Sequence, residues 1–89
     1  MSNERKFRIA LSKDALKCYR SLDVNTAARL DRCFKILVED PFSGGDIKHL
    51  KGVKGRYRYR VGKLRVIYGV DLEERIVKMF VILPRGEVY

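Results

Sequence analysis

The sequence predicts an α+β fold: a short N-terminal strand, a helical hairpin, then a three-stranded antiparallel meander. Three observations carry this. Apolar residues recur at helical spacing between Ser12 and Pro41, interrupted once at Asp23. From Arg56 the period changes to two, in the run Arg56-Tyr57-Arg58-Tyr59-Arg60-Val61. Two further strand-like runs follow, separated by a Gly-Lys pair and by an acidic turn. Eighty-nine residues suffice for one core and leave no room for a second, so one domain over 1–89 is expected.

Phe7 to Leu11 alternates weakly and suits a first strand. Ser12 can cap a helix to about Leu22, with Asp14 favourable in its first turn and Ala15, Leu16, Tyr19 and Leu22 inward. Asp23 is a second cap. Behind it Ala27, Leu30, Phe34 and Leu37 form one stripe, with Arg29, Arg32 and Lys35 facing out. Pro41 ends this helix, because the residue before a proline avoids the helical region. Residues 41–55 read as a loop, rich in glycine and carrying the single histidine, His49. After the strand over 56–61, Gly62-Lys63 is a two-residue turn with glycine first, the type II′ pattern. Leu64 to Val70 is the returning strand. Asp71 to Glu74 is a polar loop, and Arg75 to Leu83 a third strand. That strand is apolar on both faces, which places it inside the sheet or under a helix.

Composition narrows the function. The hydrophobic fraction is ordinary for a folded domain, no apolar run reaches the length of a membrane span, and the N-terminus lacks a signal-like apolar stretch. A soluble cytoplasmic protein is the expectation. Cys18 and Cys33 stand apart without a CxxC pattern, which predicts reduced thiols and no metal or other cofactor. Charge is the informative property. Between Asp46 and Asp71 there is no acidic residue and there are eight basic ones: Lys48, Lys51, Lys54, Arg56, Arg58, Arg60, Lys63 and Arg65. The rest of the chain sets twelve Lys/Arg against eleven Asp/Glu, so this segment supplies nearly all of the net charge of +9. A field so concentrated marks a surface for a polyanion.

The Gly62-Lys63 turn fixes a register. Val61 pairs with Leu64, Arg60 with Arg65, Tyr59 with Val66, Arg58 with Ile67 and Tyr57 with Tyr68. One face of the hairpin is then Tyr57, Tyr59, Val61, Leu64, Val66 and Tyr68, which must be core. The other holds Arg56, Arg58, Arg60 and Arg65, with same-strand neighbours about 6.7 Å apart. Arg60 and Arg65 are directly opposed like charges, which costs stability. Two readings exist: a solvated face whose arginines lean apart, or a site whose missing counter-ion is a ligand phosphate. Arginine suits the second, since its planar fork grips phosphate oxygens and stays charged. It is a poor proton acceptor. Alternation sends the tyrosines to the other face, towards core packing rather than base stacking.

His49-Leu50-Lys51-Gly52, Gly55-Arg56-Tyr57-Arg58-Tyr59-Arg60-Val61-Gly62, Leu64-Arg65-Val66-Ile67-Tyr68 and the tail Pro84-Arg85-Gly86-Glu87-Val88-Tyr89 together resemble the RelE/ParE superfamily of toxin–antitoxin toxins. Within it they are most similar to archaeal RelE-like members ending in a Pro-Arg-Gly tail. The resemblance implies a microbial-RNase-like α+β fold, with a curved sheet backed by the helical hairpin. It implies a ribosome-dependent endoribonuclease that cuts mRNA in the ribosomal A site, where rRNA is its partner, without cofactor or metal, inhibiting translation and silenced by a cognate RelB-like antitoxin. In such a reaction the ribose 2′-OH attacks the adjacent phosphorus while cations hold the developing charge. By position, Arg58, Arg60, Arg65, Arg85 and Tyr89 correspond to catalytic positions. Lys48, Lys51 and Lys54, in the approach loop, and Arg56 would grip RNA or rRNA backbone. Where bacterial RelE has a lysine usable as a base this chain has Arg58, so the proton acceptor is unassigned. Two other functions fit the same residues: a ParE-like DNA gyrase inhibitor, and a non-catalytic RNA- or ribosome-binding module.

Overall fold

The computed structural model describes residues 6–50, 52 and 54–84. Its elements run β1 (Arg8–Leu11), α1 (Lys13–Arg20), α2 (Val24–Glu39), β2 (Ile47–His49), β3 (Arg56–Val61), β4 (Leu64–Asp71) and β5 (Ile76–Pro84). The strands form one mixed sheet in the order β1-β5-β4-β3-β2. β1 runs parallel to β5 and every other pair is antiparallel. β5 therefore lies inside the sheet, as its two apolar faces require.

Both helices start where a side chain can satisfy a free backbone N–H. Ser12 Oγ accepts from Ala15 N–H at 3.0 Å. Asp23 accepts from the Thr26 amide and hydroxyl. α1 is two turns long and ends at Ser21, whose amide returns to the Cys18 and Tyr19 carbonyls. Its inward stripe is Ala15, Cys18, Tyr19 and Leu22, the i, i+3, i+4, i+7 set. Leu16, expected inside, lies one helical step off that stripe and is 37% exposed. α2 buries Leu30, Cys33 and Leu37, with Phe34 packed beside them. Past its end the Asp40 carboxylate accepts from the Phe42 and Ser43 amides, and the Tyr68 hydroxyl donates to the buried Pro41 carbonyl at 2.7 Å.

The meander has the predicted register at every pair from Arg56 to Leu64, and Gly62 alone of the two turn residues takes a positive φ, 56°. Tyr59, Val61, Leu64, Val66 and Tyr68 are buried against the helices, with Val77, Met79 and Ile82 of β5. Three features differ from expectation. Ile47–His49, expected as loop, is a strand on β3's outer edge. Three residues are too few to show a period of two, and this strand exists because β3 offers it unpaired backbone groups. It makes the sheet five strands, one more than the N-terminal strand and three-stranded meander expected. β5 begins at Ile76 because Arg75 sits in the left-handed region (φ 57°), where its carbonyl accepts the Arg8 amide. Finally, Tyr68 pairs with Met79 and Ile67 with Val81, so Phe80 is an extra residue: a β-bulge. Ser12 binds that strand from the helix side, its hydroxyl donating to Phe80 O at 2.7 Å and its amide to Met79 O at 2.9 Å.

Candidate nucleic-acid interface

The helices cover one face of the sheet, and strand alternation sends the basic residues to the other. Three cross-strand rows run over that second face. Arg60 opposes Arg65, which opposes Leu83. Lys48 opposes Arg58, then Ile67 and Val81 follow. Arg56 opposes Gly69, then Lys78 and Ala10. Lys48, expected in an approach loop, is thus a member of the arginine face, brought there by β2 pairing.

Arg60 and Arg65 border one recess of about 380 Å³ at the hairpin tip, shared with Gly62, Lys63 and Leu64. Arg65 and Arg58 are half-buried, and Arg60 is exposed. α2 adds a further cation: a Cβ at Gly62 would lie 2.9 Å from Arg29 Nη1, so this helical arginine reaches the turn. From sequence, Arg29 was merely an outward-facing helix residue. The expectation that no carboxylate lies nearby is corrected. Asp46 Oδ1 stands 3.8 Å from Arg60 Nη2, and the Asp46 carbonyl accepts the Arg60 amide at 3.1 Å. Asp46 is fourteen positions from Arg60 in sequence, and only β2 pairing closes that gap. The contact is solvent-exposed at both ends, so it neutralises little of the local field.

Other candidates separate from this cluster. His49 pairs with Tyr57 and packs against its ring at a tilt of 47°, 4.4 Å between centroids, on the face opposite Lys48 and Arg58. Tyr57 and Tyr68 stack at 5.4 Å. Burial pushes the Tyr59 and Tyr68 hydroxyls above the ordinary phenol range and lifts the Cys33 thiol to about 12. These groups stay protonated and chemically quiet, so the core tyrosines pack, as the alternation predicted. Lys54 is exposed at the entry to β3, and Arg56 lies over the Phe80 ring with its guanidinium carbon 4.1 Å from the centroid. Lys51, Arg85 and Tyr89 lie outside the described residues. No helix is long and apolar enough to cross a membrane among the described residues.

Comparison with known proteins places this arrangement. The family model described as "ParE toxin of type II toxin-antitoxin system, parDE" matches residues 7–89. A protein of Methanocaldococcus jannaschii described as "Putative toxin RelE1" is 33% identical over 86 residues, covering 94% of this chain and 96% of its own. The crystal structure of an archaeal RelE–RelB complex from Pyrococcus horikoshii contains a chain that superposes with a TM-score of 0.81 at 29% identity, over 93% of this chain and 99% of that one. Isolated Escherichia coli RelE shares the fold at a TM-score of 0.79 and 19% identity, over 92% of this chain and 87% of that one. With a family model matching residues 7–89 and a relative 33% identical over 94% of the chain, the chain belongs to the RelE/ParE superfamily of type II toxin–antitoxin toxins.

Proposed function

We propose that this chain is an endoribonuclease that cuts mRNA in the ribosomal A site and so stops translation. The observation that supports this most is the Arg60–Arg65 pair: two opposed cations bordering one recess, with Arg58 and Lys48 in the next row of the same face. A core has no use for that pairing, whereas a phosphate removes its repulsion. In the proposed reaction the ribose 2′-oxygen attacks the adjacent phosphorus and the bond to the 5′-oxygen breaks. A cyclic phosphate stays on one fragment and a 5′-hydroxyl forms on the other. Arg65 is the principal clamp, with Arg58 and Arg60 beside it, and each stabilises the charge that accumulates on the phosphoryl oxygens. By resemblance Arg85 adds a further positive charge, and Tyr89 orients a base or assists proton transfer. Lys48, Lys51 and Lys54 hold the flanking mRNA or rRNA backbone, and Arg56 binds the same RNA. Asp46, beside Arg60, is the carboxylate this end of the face offers as proton acceptor for the 2′-hydroxyl.

Arg65→Ala and Arg60→Ala should each lower cleavage of translated mRNA on the order of 100-fold or more, with thermal melting unchanged. Full activity in both variants would sink the proposal. The antitoxin is read from the relatives. The Pyrococcus toxin chain was crystallised with RelB, and the basic face here calls for a partner with acidic character. Co-expression with a RelB-like protein should relieve growth arrest and yield a co-purifying complex. A second reading is favoured by one observation, the ParE description of the matching family model. A ParE-like gyrase inhibitor would block supercoiling by purified gyrase at micromolar concentration and leave translated mRNA intact.

A further inference from the structure

The basic face has a second recess, at the opposite end of β3 from the Arg60–Arg65 pair. It measures about 490 Å³, and Arg56, Gly69, Lys78 and Phe80 line it together with Asp71 and Glu73. Its floor depends on two special residues. Phe80 is the extra residue of the β5 bulge, so its side chain leaves the regular alternation. Gly69 has no Cβ, and one added there would lie 3.0 Å from Phe80 Cε2 and 3.3 Å from the Gly55 carbonyl oxygen. The ring therefore reaches over Gly69. Arg56, directly opposite Gly69 on β3, lays its guanidinium across that ring.

We propose that this recess holds a nucleobase of single-stranded RNA, stacked on the Arg56–Phe80 pair, one nucleotide away from the phosphate held by Arg58, Arg60 and Arg65. The proposal rests on the RNA-cleaving reading above and adds a base subsite to it. Three physical arguments carry it. A guanidinium held over an aromatic ring, its central carbon 4.1 Å from the centroid, offers a base a cationic and an aromatic contact already in place. Lys54 lines the recess too, but Asp71 and Glu73 offset two of its three cations, with Lys78 standing 3.9 Å from Asp71, so this end favours a phosphate less than the Arg60–Arg65 end does. A base is neutral, and its N–H groups can donate to those carboxylates. Finally, Arg56 and Arg58 are two residues apart on one strand, about 6.7 Å, a step that an extended RNA strand spans with one nucleotide.

The test is fluorescence anisotropy at low salt with a labelled RNA pentanucleotide, and with the same RNA carrying one abasic residue at each position in turn. Arg56→Lys keeps the charge and removes the plane, while Phe80→Leu removes the ring beneath it. Each should weaken binding of the intact RNA by roughly 5- to 150-fold, with an unchanged dependence on salt. At one position the abasic RNA should bind the wild-type chain as weakly, and neither substitution should weaken it further. Equal losses on intact and abasic RNA, or no loss in Arg56→Lys, would overturn the base subsite while leaving phosphate binding in place. A wild-type chain that binds neither RNA at any salt concentration would overturn the RNA reading itself.

Discussion

At the scale of single residues, the proposed reaction asks some groups to hold charge and another to take a proton. An arginine stays charged at any working pH, so in that proposal Arg58, Arg60 and Arg65 hold a phosphate and move no proton. Tyr59, Tyr68 and Cys33 on the core face are held protonated by burial. His49 is on the wrong face of the sheet from the arginines. Among the described residues, the proposal gives the proton step to Asp46, beside Arg60. Asp46→Asn preserves the shape and a neutral contact to Arg60 but removes the acceptor. Cleavage by this variant should fall by about 100- to 10,000-fold. An Asp46→Asn chain with wild-type rate would show that the carboxylate only offsets charge on Arg60.

At the scale of elements, the β4–β5 bulge organises both ends of the fold. It exposes Phe80 to Arg56 on the basic face, and its backbone carbonyl takes the hydroxyl of the α1 cap on the other. Gly69→Ala should destabilise the chain by about 1–3 kcal/mol, because the added methyl meets a ring and a backbone oxygen that cannot both withdraw. Denaturant unfolding of the variant measures this, and a loss below about 0.5 kcal/mol would mean the bulge absorbs the change. The caps contribute to acid stability. Asp23 is held below the usual aspartate range by the Thr26 hydroxyl and amide, and Asp40 by the Phe42 amide and then by Ser43. Their contribution is fully present above about pH 4 and is lost as pH falls through the lower folded values. In Asp23→Asn/Asp40→Asn the side chains still accept hydrogen bonds but no longer titrate. The melting temperature of this double variant should therefore fall less between pH 5 and pH 2.5 than that of the wild type. An equally steep fall would assign the acid sensitivity to other carboxylates.

At the scale of the whole molecule, charge sits on one face and packing on the other. That separation predicts steep salt dependence. If the face engages three or four phosphates, the logarithm of the RNA association constant should fall with log salt at a slope near −2 to −3. Arg58→Gln should make the slope shallower by about 0.7, a readout that separates phosphate grip from stacking at Arg56. A flat salt response would remove the electrostatic argument for the face. Much of this was legible in the chain itself. The Arg-Tyr alternation and the Gly62-Lys63 turn determined the hairpin register and the separation of arginines from tyrosines. Ser12, Asp23 and Pro41 determined where the helices begin and end. These are local effects: side-chain period, turn chemistry and capping act between neighbours, so neighbours suffice to read them. Only the tertiary structure decided which distant groups share the site. It paired Ile47–His49 with β3, and so brought Lys48 to Arg58 and Asp46 to Arg60. It also set Phe80 under Arg56 and Arg29 against the Gly62 turn. Such contacts depend on which strand edges meet and where a bulge shifts the register, and no local pattern carries that information.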